Sequence, residues 1–259
     1  MNPEMNTHIK NALQKGVRLD GRKLDEIREV SLETGLISTA EGSAKVKFGD
    51  AEAIVGVKMS IERPFPDSPE DGILMVNAEL LPLSNPEFES GPPSIDSIEI
   101  SRVVDRGIRE SKAVNTKKLC LEKGEKAWTI AVDITPINYD GNLIDIGGFG
   151  AMLALRNARF PTLTEHGVDY HKLTDKKVDI NHYPIPVTVY RIGETLLVDP
   201  TEEEEKLVEA RLTVTSISDT KICAMQKGGD KPLSEKDINE MIDMALKVAK
   251  TLRHKLEEN

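Results

Sequence analysis

Lys126-Ala-Trp-Thr-Ile-Ala-Val-Asp-Ile-Thr-Pro136, then Tyr139-Asp-Gly-Asn142, then Leu143-Ile-Asp-Ile-Gly-Gly-Phe-Gly-Ala-Met-Leu-Ala-Leu-Arg156 carry two hydrophobic periods separated by one turn. Trp128, Ile130, Val132 and Ile134 alternate with Ala127, Thr129, Ala131 and Asp133, the period of a strand with one buried face. Residues 139–142 have turn composition, and the run after them is apolar on every side, which predicts a helix enclosed by other elements. Gly147, Gly148 and Gly150 lie inside that helix, where each costs about 1 kcal/mol relative to alanine. Close backbone packing has to offset them.

Upstream of this unit the period is again two. Val30 and Leu32, then Ala44, Val46 and Phe48, turn at Gly49-Asp50 into Val55, Val57, Met59 and Ile61, a hairpin or meander. Residues 63–72 hold too many prolines for a regular element and read as a loop, with a further strand expected from Ile73 to Leu83. Pro92-Pro-Ser94 then opens a helix with Ser94 as its N-cap. Residues 1–16 read as a short amphipathic helix ending at Gly16, part of an N-terminal arm over 1–27.

Downstream, residues 162–186 are polar and without period and are read as a linker between a first domain, 28–161, and a second, 187–259. The second domain reads as strands at 187–191, 195–199, 212–217 and 222–225, with an acidic insertion at 200–206. A final helix is capped by Ser234. Strand groups followed by helices in both halves predict an α+β architecture of two lobes, each with a mixed β-sheet packed by helices.

The chain of 259 residues has 34 Lys and Arg against 44 Asp and Glu, a net charge of −10 that argues against a stand-alone nucleic-acid binder. Against that background, Arg102, Arg106 and Arg109 fall within about 60° of one another on the predicted helix. Two readings fit them: a stripe of guanidinium groups holding the phosphates of a nucleic-acid backbone, or a solvated face paired with Asp105 and Glu110. Aromatic residues make up 4% of the chain, too few for a base-stacking platform, so such a stripe would grip backbone.

Other candidate chemistry is weak. The run from Asp199 to Glu205 lacks the spacing of a calcium loop, and His166, His171 and His182 lack metal-ligand spacing. Gly147-Gly-Phe-Gly150 is not a phosphate loop, and Cys120 and Cys223 read as reduced thiols without nucleophile-activating neighbours. No charged-then-apolar leader opens the chain and no stretch is long enough to span a bilayer, so a soluble, cytoplasmic protein without cofactor, metal or membrane association is expected.

Arg18-Leu-Asp-Gly-Arg22, Gly42-Ser-Ala-Lys-Val-Lys-Phe-Gly49, Ser97-Ile-Glu-Ile-Ser-Arg102 and Asp140-Gly-Asn142 before a glycine-alanine helix, in this order, resemble the RNase PH superfamily. The resemblance covers nearly the whole chain and is strongest to the non-catalytic RNase PH-like subunit of the archaeal exosome. It implies the RNase PH-like fold and a catalytic RNase PH-like partner that degrades RNA from the 3′ end by phosphorolysis. It also implies a heterodimer assembled into a hexameric ring, RNA-binding cap proteins, and single-stranded RNA as ligand.

The resemblance further implies that this subunit has no catalytic residues. Active members present a serine and an arginine to phosphate where this chain has Leu143 and Ile144, and paired acidic residues where it has Glu205 and Arg211. They carry an arginine pair where it has Ile95 and Asp96. In the inactive subunits, arginines at the positions of Arg102 and Arg106 reach RNA at the neighbour's active site; Arg109 is the third candidate. Two alternatives stay open: an active phosphorolytic exoribonuclease whose phosphate site has moved, for instance to Arg18 or Arg22, and a pure scaffold without RNA contact.

Overall fold

The computed structural model describes residues 3–165 and 167–258; Met1, Asn2 and the candidate ligand His166 lie outside them. Helix α1 (Pro3–Gln14) is followed by β1 (Val30–Thr34), β2 (Gly42–Phe48), β3 (Ala51–Glu62) and β4 (Ile73–Ala78). Gly49, with φ at 59°, turns β2 into β3, and a side chain there would collide with Arg28. The strand expected to reach Leu83 stops at Ala78, because the chain turns back on itself through hydrogen bonds from the Ser84 amide and hydroxyl to the Leu81 carbonyl. Helix α2 (Ile95–Glu110) starts where Ser94 predicts, its hydroxyl accepting from the Ser97 amide. The short β5 (Cys120–Glu122) leads to β6 (Lys126–Asn138) and helix α3 (Leu143–Asn157).

These strands form one mixed sheet in the order β1-β2-β3-β6-β4, with β5 on an end of β6 and only the β4–β6 pairing parallel. Next come β7 (Arg159–Thr164) and β8 (Gly167–Lys177), an antiparallel ribbon. Residues 162–186 are therefore not simply irregular. The ribbon shows no hydrophobic period because both faces of β8 are largely open to solvent, so no apolar alternation was needed.

The remaining elements are β9 (Ile185–Ile192), β10 (Thr195–Val198), α4 (Glu202–Glu205), β11 (Ala210–Ser216), β12 (Ile222–Gly228) and α5 (Glu235–Glu257). They build a sheet in the order β10-β9-β11-β12 whose pairings are all antiparallel, where a mixed sheet was expected for both lobes. The β9–β10 and β11–β12 pairs are consecutive in the chain, and the link from β10 to β11 carries only the single-turn α4, where a parallel pair would require a longer crossover.

Helices α2 and α3 lie between the two sheets, and α5 covers the far face of the second. The α3 glycines explain the close approach. A methyl group on Gly150 would meet Val55 of β3 at 2.7 Å, and one on Gly148 would meet Pro186 of β9 at 2.4 Å. On α2, Gly107 likewise faces Thr215 of β11. Both lobes consequently share one continuous hydrophobic core running from Phe48 through Phe149 to Leu252. The N-terminal arm docks on the second lobe, where Ile9 and Leu13 pack with Tyr190, Ile192 and Leu197.

An acid of α3 is enclosed where the lobes meet. Asp145 of α3 is 2% exposed and accepts hydrogen bonds from the amide and hydroxyl of Thr188, whose hydroxyl also meets that of Thr213. Desolvation raises its pKa to about 7 despite the opposing effect of the Thr188 bonds. A carboxyl raised in the folded state binds its proton more tightly there than in the unfolded chain. Its contribution is greatest below its ordinary value near 4 and declines as pH rises to about 7. Unfolding free energies of wild type and Asp145→Asn should therefore diverge by roughly 2 to 3 kcal/mol in the variant's favour between about pH 5 and 8. A pH-independent difference in denaturant titrations would show the carboxyl to be ionised throughout.

Candidate functional site

The three arginines share one flank of α2, which is held by its buried residues Ile100, Val103, Val104 and Ile108. Their situations differ. Arg109 bonds both Asp105 oxygens, at 2.8 and 3.1 Å, and donates to the Leu74 carbonyl at 3.0 Å. Hydrogen bonding to Asp105 raises its pKa further. Arg102 and Arg106 are exposed, and their side chains make no hydrogen bond or ion pair with any described residue. Arg106 lies beside Thr213 and Gln226, where α2 meets β11 and β12. The stripe thus divides into one arginine committed to its own helix and two whose charges are open to a ligand.

A turn of helix N-terminal to these arginines, a cavity of about 200 Å³ opens between α2, the start of α3 and β11. Asp96, Leu143, Ile144, Glu205 and Arg211 line it together, with Glu99, Tyr139 and Phe88 completing the wall. Ile95 does not reach it and is 84% exposed. Residues that the resemblance assigns to the phosphate site, scattered along the sequence, thus line one cavity.

The chemistry of this cavity is unfavourable to phosphate. Arg211 supplies its guanidinium, and that group is paired with Glu99 at 2.5 Å. Glu205 accepts from the Tyr139 hydroxyl at 2.8 Å and the Asn142 amide at 3.2 Å. Desolvation pushes its carboxyl above the usual range, and bonds from Tyr139 and Asn142 offset this only in part. An incoming dianion would meet Asp96, Glu99 and Glu205 beside hydrocarbon from Leu143 and Ile144, with one partnered cation to hold it.

The acidic run behind the cavity is structural. Asp199, with a fully buried side chain and φ at 48°, gathers the Arg28 amide and guanidinium, the Arg22 guanidinium at 2.9 Å and the Asn142 side-chain amide at 2.9 Å. Burial alone would raise its pKa. The hydrogen bonds and charge of Arg28, with Arg22, outweigh that and hold it below the ordinary carboxylate range. Arg28 also reaches Asp140 at 2.8 Å, which ties the turn before α3 to this centre.

Glu204, inside the capping box of α4, grips the buried Arg18 with both oxygens, while Arg18 also donates to the carbonyls of Val198 and Asp199. Glu202 pairs with Asn85 and Lys206. The carboxylates from Asp199 to Glu205 considered as metal ligands are mostly occupied by protein donors. Among the described residues no group of three or more acidic, histidine or cysteine side chains is arranged to hold a metal. No described helix is long and apolar enough to cross a membrane. Cys120 and Cys223 are unpaired thiols, half-buried. The sequence did not reveal the pairing of Glu99 with Arg211, nor the network around Asp199. Arg18-Leu-Asp-Gly-Arg22 was its visible half, and the partners lie in the other lobe.

The two-sheet fold, with α2 and α3 between the sheets and a cavity at the turn before α3, is shared by a two-domain exoribonuclease family. Residues 26–161 match domain 1 and residues 182–248 match domain 2 of the 3′ exoribonuclease family, RNase PH, to which this chain belongs. It is 44% identical over 250 residues to the exosome complex component Rrp42 of Methanocella arvoryzae, covering 96% of this chain and 94% of that protein. Rrp42 of Methanopyrus kandleri is 45% identical over 246 residues, with coverage of 93% and 91%. Among solved structures, a chain of the Archaeoglobus fulgidus exosome with RNA bound to the active site superposes with a TM-score of 0.90 at 43% identity, over 96% of both chains. A chain of an archaeal exosome core superposes at 0.86 with 40% identity, covering 97% of this chain and 96% of that one.

Removing one member of a buried ion pair strands the other without solvent. Arg18→Met should lower the unfolding free energy by about 3 to 5 kcal/mol, and a second change, Glu204→Leu, should recover much of it. Guanidinium denaturation of both variants measures this. A single-variant loss within about 1 kcal/mol would mean that the arm is not anchored by this pair.

Proposed function

We propose that this chain is a non-catalytic, RNA-positioning subunit of an archaeal exosome that supports 3′-to-5′ phosphorolytic RNA degradation by a catalytic RNase PH-like partner. The partner alternates with it in a hexameric ring capped by RNA-binding proteins, in the cytoplasm. The observation that carries this reading is the cavity: its one guanidinium is held by Glu99, and its walls present carboxyls and hydrocarbon where phosphorolysis needs a phosphate dianion fixed. Arg102 and Arg106, without partners among the described residues, supply the positioning function through phosphate contacts. Arg109 is a third, weaker contributor, because Asp105 competes for it.

The relatives support the assignment, since the Methanocella and Methanopyrus proteins, 44% and 45% identical, are Rrp42 components and one superposing chain comes from an exosome with RNA at its active site. The rival in which the phosphate site has moved to Arg18 or Arg22 finds no support. Arg18 is enclosed and bonded to Glu204, and Arg22 is held between Asp20 and Asp199.

Two measurements test the reading. The purified chain, incubated with single-stranded RNA and inorganic phosphate, should release no nucleoside diphosphate, and only addition of the catalytic partner should produce it; release by the chain alone overturns the assignment. In the reconstituted complex, Arg102→Glu with Arg106→Glu should leave assembly intact and weaken RNA binding by about tenfold or more at low salt. The slope of log affinity against log salt should also become shallower by about two. Unchanged RNA affinity would identify a scaffold.

A further inference from the structure

The α2 flank that carries Arg102 and Arg106 also carries an anion. Glu99 precedes Arg102 by three positions and Arg106 by seven, which places all three within about 60° around the helix axis. Left to itself, a glutamate three residues before an arginine forms an intrahelical pair with it. In this structure the Arg102 side chain has no partner among the described residues, and Glu99 instead forms an ion pair with Arg211 of β11 at 2.5 Å.

The second lobe is built to supply that arginine. Arg211 lies opposite Gly228 across the β11–β12 pairing, and its guanidinium rests where a side chain on Gly228 would be. A methyl group there would stand 2.6 Å from Cζ and 2.8 Å from Nε of Arg211. The absent Cβ is the seat of the guanidinium, and from that seat it reaches across the lobe boundary to α2. Both partners are partly shielded, with side chains 22% and 30% exposed.

We propose that Arg211 is a positioning residue that masks Glu99, so that Arg102 stays unpaired and the α2 stripe faces RNA with its full positive charge. The proposal rests on the reading of Arg102 and Arg106 as phosphate contacts. It gives Arg211, which stands in a cavity with no phosphate to bind, a role through Glu99.

The test uses the complex reconstituted with the catalytic partner and a short, fluorescently labelled single-stranded oligoadenylate. Arg211→Met should weaken binding roughly threefold to tenfold at low salt and flatten the salt dependence, because Glu99 then pairs with Arg102 and repels the backbone. Glu99→Gln in the Arg211→Met background should restore wild-type affinity, since no anion remains to mask. Gly228→Ala displaces only the flexible end of Arg211 and should reproduce the Arg211→Met loss in part, while thermal unfolding confirms an intact fold.

Failure of Glu99→Gln to rescue would overturn masking and leave Arg211 as a direct RNA contact or an inter-lobe strut. Wild-type affinity in Arg211→Met would overturn it as well. Both results are distinct from failure of the underlying reading, which appears as unchanged affinity when Arg102 and Arg106 themselves are reversed to glutamate.

Discussion

Everything near the cavity depends on one buried carboxylate. Asp199 has no access to solvent, so its charge has to be met by protein donors, and the five donor atoms that meet it come from different places: the amide and two guanidinium nitrogens of Arg28, one guanidinium nitrogen of Arg22 and the side-chain amide of Asn142. Arg22 and Arg28 belong to the segment after the N-terminal helix, Asn142 to the turn that starts α3, and Asp199 itself to the end of β10. A single desolvated anion thus fixes the arm, the first lobe and the second lobe in one register. Asp199 and Asn142 both occupy left-handed backbone conformations, with φ at 48° and 59°, which their side-chain bonds help to hold.

That register explains how the cavity keeps its form with hydrocarbon at Leu143 and Ile144. The turn at 140–142 is positioned by Arg28 and Asp199, and Glu205 by Tyr139 and the Asn142 amide. None of these bonds needs a serine or arginine at positions 143 and 144. Leu143 and Ile144 could therefore be accommodated without disturbing the frame, and both are buried as part of the core. Binding chemistry and scaffold are separable here because the scaffold's charges are satisfied from behind the cavity.

Much of the architecture was readable from local pattern. The alternation in β6, the enclosed glycine helix α3, the Ser94 and Ser234 caps and the Gly49 turn each follow from short-range physics and appear as expected. What escaped was long-range or two-sided. The β7–β8 ribbon carries no period because neither face is fully buried, and the antiparallel second sheet is decided by how its strands connect rather than by composition. The acidic run from Asp199 to Glu205 read as an acidic insertion without a role because its arginine partners precede it by most of the chain. Glu99 was visible beside Arg102, yet nothing local indicated that Arg211 would claim it. Resemblance to a family located the cavity residues; geometry shows which of their charges are already spent.

The same distinction bears on how a chain of net charge −10 would hold RNA under the proposed function. Long-range attraction is not available to it, since at physiological salt fields decay over about 8 Å and the average surface is repulsive. Only unpaired cations at short range contribute, so the arrangement of pairs matters more than the total. On α2 the four charges of Glu99, Arg102, Asp105 and Arg109 would cancel if each found its nearest neighbour on the helix. Asp105 does take Arg109, but Glu99 is drawn off by the opposite lobe. Two arginines are left over, on the helix that both sheets enclose, and their number is set by tertiary structure.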